Sequence, residues 1–251
     1  MIIDIDGLKI NYIDQGQGEP ILLIHGWGSS VPTWTPILSG FEGYRVIAPD
    51  LPGCGESDIL KTDWGIDDYC QFILKFIKAV GIENPIMAGH SHGGRISIKM
   101  VAEGMVDAPK LILFDSAGIP AKKTFKKRFK IFCFKSAKRI LTLPLIKNYT
   151  KETLEKVRGY FGSADYKSAP EVMRKTLVKV IGVDLRPIMH KIPCPTLLIW
   201  GENDTDTPLS DAKEMESLIK DSGLCVIKNA GHFSFLNNPY QVISILKSFL
   251  S

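Results

Sequence analysis

Residues 89–94 read Gly-His-Ser-His-Gly-Gly, with the apolar run Pro85-Ile86-Met87-Ala88 before them and a stretch of helical composition, Arg95 to Glu103, after them. This order predicts a buried strand, a sharp turn and a helix that meet at Ser91. A Gly-x-Ser-x-Gly turn in this setting strains the serine backbone and exposes its hydroxyl above the end of a sheet. The flanking glycines leave room for the turn, and the last one lets the helix pack close to the strand.

The bulk composition is that of an ordinary globular protein, with 251 residues of which 45% are hydrophobic and 23% charged. This length is sufficient for a large core. The formal net charge of +4, without a recognition motif, argues against a nucleic-acid partner. The sequence contains no run of about eighteen apolar residues, so we expect no transmembrane helix. The acidic start differs from a signal peptide and the five cysteines are scattered, so we expect a cytoplasmic protein with reduced thiols.

Short apolar runs alternate with helical patterns along most of the chain. Asp6-Gly7 is a typical two-residue turn between the first two β-prone runs. Several later runs are continuously apolar, as in strands buried on both faces of a parallel sheet. The predicted strands are residues 2–5, 8–14, 20–24, 44–48, 85–88, 110–114, 194–200 and 224–227, and the predicted helices are residues 66–80, 95–103, 149–162, 171–181 and 239–250. We expect an α/β fold with a mostly parallel sheet, helices on both faces, and ligands at the carboxyl ends of the strands.

Polar groups of three kinds follow the ends of predicted strands in the order serine, acid, histidine. Ser91 is followed by the acidic loop 202–208, and then by His232 after the last strand. A serine hydroxyl becomes a nucleophile when a base takes its proton, another group orients that base, and donors stabilise the oxyanion. The backbone N–H groups of His92 and Trp27 are candidates for those donors. The sequence therefore predicts a nucleophilic serine site at one edge of the sheet.

The chain resembles the α/β-hydrolase fold serine hydrolases over nearly all of residues 8–118 and 184–250. The resemblance rests on five blocks in family order: residues 25–28 (His-Gly-Trp-Gly), 50–57 (Asp-Leu-Pro-Gly-Cys-Gly-Glu-Ser), 89–94 (Gly-His-Ser-His-Gly-Gly), 201–204 (Gly-Glu-Asn-Asp) and 230–232 (Ala-Gly-His). It implies a single domain over residues 1–251, with a core of residues 1–117 and 185–251. It also implies an inserted helical cap at about residues 118–184, and catalysis without a cofactor.

The resemblance selects Asp204 as the acid that orients His232. Glu202 and Asp206 in the same loop are alternatives, and so is Asp115, since some family members place their acid after the sixth strand. His25, His90 and His92 could suggest a metal site. Their spacing fits no usual zinc pattern, so we expect no metal ion, and His25 is interpreted as a structural residue.

The predicted cap contains an uneven distribution of charge. Residues 122–147 hold ten lysines and arginines and no acid, and phenylalanines recur among them at helical intervals. Such a segment can lie on an anionic membrane or cover the core with its lysines in water. We favour the second interpretation.

These features favour a carboxylesterase that acts on small or medium esters through an acyl-enzyme on Ser91. Amide, lactone, thioester and carbon–carbon bond hydrolysis stay open, because those choices depend on the cap. A ligand receptor or signalling protein that keeps the same residues is the alternative from another class. The oligomeric state does not follow from the sequence.

Overall fold

The computed structural model describes residues 1–120 and 169–251. Its strands are β1 (Ile2–Ile5), β2 (Leu8–Gln15), β3 (Pro20–Ile24), β4 (Arg45–Pro49), β5 (Ile86–His90), β6 (Leu111–Phe114), β7 (Thr196–Gly201) and β8 (Ser222–Ile227). They form one eight-stranded sheet in the order β1-β2-β4-β3-β5-β6-β7-β8.

The sheet is antiparallel at one edge and parallel elsewhere. β1 pairs with β2, and β2 with β4, in antiparallel register, whereas every pair from β4–β3 to β7–β8 is parallel. The predicted turn joins β1 to β2, with φ of 55° at Asp6 and 75° at Gly7. Both values lie in the left-handed region that a two-residue hairpin requires.

Helices cover both faces of the sheet. They are a 3₁₀ helix (Val31–Phe41), α1 (Ile66–Ala79), α2 (His92–Ala102), α3 (Glu171–Val180), α4 (Arg186–Met189), α5 (Leu209–Leu218), α6 (Ser234–Asn237) and α7 (Pro239–Leu250). Alternate residues of β3 belong to opposite cores: Leu22 packs with α1 and α2, and Ile21 with the 3₁₀ helix and α7. This alternation follows from the two-residue period of a strand. The mostly parallel sheet with helices on both faces confirms the predicted fold class.

The chain adds elements that its sequence pattern did not predict. α2 begins at His92 rather than near Arg95, because the turn at Ser91 takes a single residue. The 3₁₀ helix and α5 were not predicted. The 3₁₀ helix contains two prolines, which interrupt a helical pattern. In α5 only Ala212 and Met215 are buried, so its sequence has no continuous apolar face.

Most of the predicted cap, with the predicted helix 149–162 and the basic run 122–147, lies outside the described residues. At its end, α3 agrees with the helix predicted at 171–181. In the part of the chain that is described, the helices are too short or too polar to cross a membrane. The cytoplasmic location stays a prediction.

Candidate active site

Ser91 occupies a one-residue turn between β5 and α2. Its φ of 49° and ψ of −110° are unusual for a residue with a side chain. The turn depends on glycine: a Cβ on Gly89 would lie 2.5 Å from the carbonyl carbon of Gly93, and one on Gly93 would collide with the backbone oxygen of Ile24. A Cβ on Gly94 would likewise collide with the hydroxyl of Ser116. The predicted reasons for the three glycines are confirmed.

Ser91, His232 and Asp204 form a chain of hydrogen bonds at the carboxyl ends of three parallel strands. The Oγ of Ser91 lies 2.9 Å from Nε2 of His232, and Nδ1 of His232 lies 2.8 Å from Oδ2 of Asp204. Because a carboxylate only accepts, Nδ1 carries the proton and Nε2 is free to accept one from the serine. The structure thus brings together the three side chains singled out in the sequence.

The acidic residue is held in place by its own loop. Oδ1 of Asp204 accepts hydrogen bonds from the backbone N–H groups of Asp206 and Thr207, at 2.8 and 3.0 Å. The hydroxyl of Thr207 lies 2.7 Å from Oδ2 of Asp204 and 3.0 Å from the carbonyl oxygen of Asp115. A hydroxyl has one proton, so Thr207 donates to one of these oxygens at a time.

The electrostatics of the pair favour a charged Asp204 beside a basic imidazole. Burial opposes charge on both groups, but their hydrogen bond and mutual attraction outweigh it. The pKa of Asp204 therefore lies below its ordinary value, and the pKa of His232 lies above 6.5. An imidazole of raised basicity is suited to take a proton from a serine hydroxyl.

The rival acid, Asp115, faces a different set of partners. Its carboxylate accepts hydrogen bonds from the backbone N–H of Gly201 at 2.7 Å, and from the N–H and hydroxyl of Ser234 at 2.9 and 2.6 Å. Burial raises the pKa of Asp115 to about 7, although these bonds oppose the shift. Asp115 thus links β6, β7 and the start of α6, and the carboxylate bonded to His232 is Asp204.

The two residues predicted to supply the oxyanion N–H groups contact each other through their side chains. Trp27 follows β3, His92 opens α2, and their rings meet edge to face with centroids 5.7 Å apart. Backbone N–H groups in the first turn of a helix have no acceptor within it. The N–H of His92 is such a group, at the positive end of the helix dipole.

A profile of the α/β-hydrolase fold matches residues 19–239, which span β3 to the start of α7. The chain belongs to the α/β-hydrolase fold family.

Relatives of this hydrolase act on different substrates. It is 26% identical to the 2-hydroxy-6-oxo-6-(2'-aminophenyl)hexa-2,4-dienoic acid hydrolase of Metapseudomonas resinovorans, over 99% of this chain and 90% of that protein. It is 27% identical to Lipase 1 of Psychrobacter immobilis, over 98% of this chain and 81% of the lipase. The solved structure of a bacterial membrane phospholipase A superimposes with a TM-score of 0.77 at 25% identity, over 100% of this chain and 84% of that one.

Two histidines of the hydrolase have neighbours that the sequence did not indicate. His90 is buried and its Nε2 donates to the carbonyl oxygen of His232 at 2.8 Å. Burial and the neighbouring His232 ring lower the pKa of His90 to about 3. His25 is bonded at both nitrogens, to the carbonyl of Gly26 at 2.7 Å and from the N–H of Leu51 at 2.8 Å, which accords with a structural role.

Among the described residues, His25, His90 and His92 do not form a group with metal-ligand spacing. Among the described residues, the one group with metal-ligand spacing is Asp204, Asp206 and His232, whose ligand atoms lie within 4.8 Å of one another. Both oxygens of Asp204 and Nδ1 of His232 already take part in hydrogen bonds. A cation at this position would have to displace the bonds that orient His232.

Sequence reasoning missed Thr207, the contact of His90 with His232, and Arg95. Arg95 is buried in α2 and its Nη1 lies 3.5 Å from Nδ1 of His92. Each of these contacts depends on how the backbone folds, which the sequence alone does not show. The one available signal was an arginine directly after the glycines of the turn, on a helix that had to be buried.

Proposed function

We propose that this protein is a serine hydrolase, and specifically a carboxylesterase for small or medium esters. The observation that supports it is the hydrogen-bonded series Ser91–His232–Asp204, with Ser91 on a strained turn at the end of β5. Similarity to a lipase and to a phospholipase A agrees with ester substrates.

The acylation step follows from the proton positions. Oγ of Ser91 attacks the ester carbonyl while Nε2 of His232 takes its proton, and Asp204 stabilises the imidazolium that forms. The backbone N–H groups of Trp27 and His92 donate to the oxyanion of the tetrahedral intermediate. His232 then gives the proton to the leaving alcohol, and the carbon–oxygen bond breaks to leave an acyl group on Ser91.

Deacylation repeats these steps with water. His232 takes a proton from a water molecule, which attacks the acyl-enzyme, and the second tetrahedral intermediate forms in the same donor pair. His232 returns the proton to Oγ of Ser91 as the acyl bond breaks. The products are a carboxylic acid and the restored serine, and no cofactor enters the balance.

A second candidate is hydrolysis of a 2-hydroxy-6-oxo-dienoic acid. The relative from Metapseudomonas resinovorans, which matches 99% of this chain, favours it. Both functions would use Ser91 and His232 of this chain, so substitution of these residues does not separate them. A panel of substrates does. Faster turnover of the dienoic acid than of every ester in a chain-length series would select the second function.

A burst of p-nitrophenol from p-nitrophenyl acetate and butyrate, followed by stopped flow, tests the proposal. We expect one equivalent of p-nitrophenol per active site, followed by slower steady turnover. In the Ser91→Ala variant kcat should fall about a million-fold, as when comparable serine nucleophiles are removed. Equal turnover by the variant would reject the mechanism, and ligand binding without turnover would favour a receptor.

A further inference from the structure

Arg95 is a buried cation with an incomplete set of partners. Only 5% of the residue is exposed, its Nε has no hydrogen-bond partner, and its Nη1 reaches His92 at the long distance of 3.5 Å. Among the described residues, no carboxylate lies within salt-bridge distance of Arg95. Burying an arginine without an anion is costly, because the guanidinium loses hydration and five N–H donors need acceptors.

The position in α2 makes this burial less favourable still. Arg95 lies one helical turn after the serine, and its backbone N–H donates to the carbonyl of Ser91 at 3.1 Å. A cation in the first turn is repelled by the positive end of the helix dipole. The helix therefore does not compensate the charge of Arg95. An anion near this end of α2 would be stabilised by the helix dipole and by the guanidinium.

His92 adds a second unused donor beside Arg95. Its ring is buried between Trp27 and Tyr69, with centroid distances of 5.7 and 4.8 Å. Because a guanidinium only donates, Nδ1 of His92 is the acceptor and Nε2 carries the proton. That Nε2 is buried without a partner. Burial and the charge of Arg95 hold the pKa of His92 well below its ordinary value, so the ring stays neutral.

Both unused groups are donors, and both belong to the first turn of α2, directly after Ser91. The side chain of His92 belongs to the residue whose backbone N–H is an oxyanion donor, and its ring packs on the other donor residue, Trp27. A ligand that completes the cluster must accept hydrogen bonds and carry negative charge. A carboxylate fits the planar fork of an arginine.

We propose that Arg95 and Nε2 of His92 form a subsite for a carboxylate on the substrate, next to the scissile carbonyl. The substrate class is then an acyl ester with a second, ionised carboxyl group on its acyl chain. This inference rests on the proposed esterase function. It differs from general attraction by the lysines of residues 122–147, because it requires one buried arginine in contact with the substrate.

The test compares p-nitrophenyl half-esters of glutaric, adipic and pimelic acid with the same compounds capped as neutral methyl esters. The readout is the ratio of kcat/KM for the charged ester to that for its neutral partner. In Arg95→Met this ratio should fall about ten- to a hundredfold, as when a hydrogen bond to a charged group is lost, and Arg95→Lys should give a smaller fall. Lys99→Met is the control. Lys99 lies on the same helix but is paired with Asp67 and Glu103, so its removal should leave the ratio unchanged.

The possible outcomes separate the subsite from the esterase. An unchanged ratio in Arg95→Met would overturn the subsite while neutral esters are still hydrolysed. An equal loss for both esters, with a lower melting temperature in Arg95→Met and Arg95→Lys, would assign Arg95 an internal structural partner and also overturn it. If the wild type hydrolyses neither ester, the esterase proposal fails. Binding of monomethyl adipate, followed by thermal shift in wild type and Arg95→Lys, then tests the subsite alone: equal shifts overturn it.

Discussion

His232 has a hydrogen bond at each ring nitrogen, and the two bonds together determine which nitrogen is protonated. Asp204 accepts at Nδ1, which leaves Nε2 as the acceptor for Ser91. A third bond, from His90 to the carbonyl oxygen of His232, holds the backbone of the same residue. The proposed chemistry depends on this tautomer.

Replacing Asp204 with asparagine should reduce kcat on the order of ten-thousand-fold. An asparagine amide can donate to Nδ1, which favours the wrong tautomer of His232. The measurement is steady-state turnover of p-nitrophenyl butyrate. A small effect here, with a large one in Asp115→Asn, would place the functional acid after β6.

Asp115→Asn should lower stability more than it lowers kcat. One oxygen of Asp115 accepts from two donors of Ser234, and an amide nitrogen in its place would face them with another donor. We expect a cost of about 1–3 kcal/mol, measured by urea unfolding. Full stability of the variant would contradict the linking role of Asp115.

The pH dependence of kcat/KM for a neutral ester should show an acid limb with a midpoint above 6.5. His232 must be neutral to accept the serine proton, and the charge of Asp204 raises its pKa above 6.5. Activity is therefore lost as the pH falls through the raised pKa. In Asp204→Asn burial remains without the carboxylate charge, so the midpoint should move down. A midpoint that stays in place would show that the limb belongs to another group.

The β5–α2 turn depends on close packing that a glycine permits. A Cβ on Gly93 would collide with β3, whereas Gly223 in β8 has open space at the same position and no left-handed φ. Gly93→Ala should lower the free energy of unfolding by at least about 1–3 kcal/mol, the usual cost of an overpacked core. The melting temperature should fall by about 2–4 °C for each kcal/mol lost. Gly223→Ala is the matched control. Equal melting temperatures for the two variants would contradict the packing described for the turn.

The strands that position the site could be predicted because they are buried on both faces. Continuous apolar runs and the small residues after them identified β3, β5 and β7 with their loops. The 3₁₀ helix could not be predicted in this way, because its prolines at 32 and 36 interrupt the helical pattern. The order of the polar loops identified Ser91 and His232. The choice of Asp204 over Asp115 needed either family resemblance or coordinates.

Charge is distributed unevenly along the chain. Residues 122–147 carry ten of the 31 lysines and arginines and none of the 27 acids. Everything else therefore has 21 basic and 27 acidic residues, a formal charge of −6. Attraction between exposed charges is screened beyond about 8 Å at physiological salt. The basic run should thus draw anionic substrates by a salt-dependent attraction.

We predict that added salt lowers kcat/KM for a charged half-ester and leaves that for its neutral methyl ester unchanged. Replacing Lys122, Lys123, Lys126 and Lys127 with glutamine should flatten this dependence. The contribution of Arg95 should persist at high salt, because buried pairs are screened less than exposed ones. Identical salt curves for the two esters would mean that the basic run is only a solvated face.

Covalent labelling with a fluorophosphonate, followed by peptide mass spectrometry, tests whether Ser91 is a nucleophile activated by His232. We expect one adduct per chain, located on Ser91, with no adduct in Ser91→Ala and a strongly reduced labelling rate in His232→Ala. A label on another residue, or ester turnover by a protein in which Ser91 stays unlabelled, would contradict it.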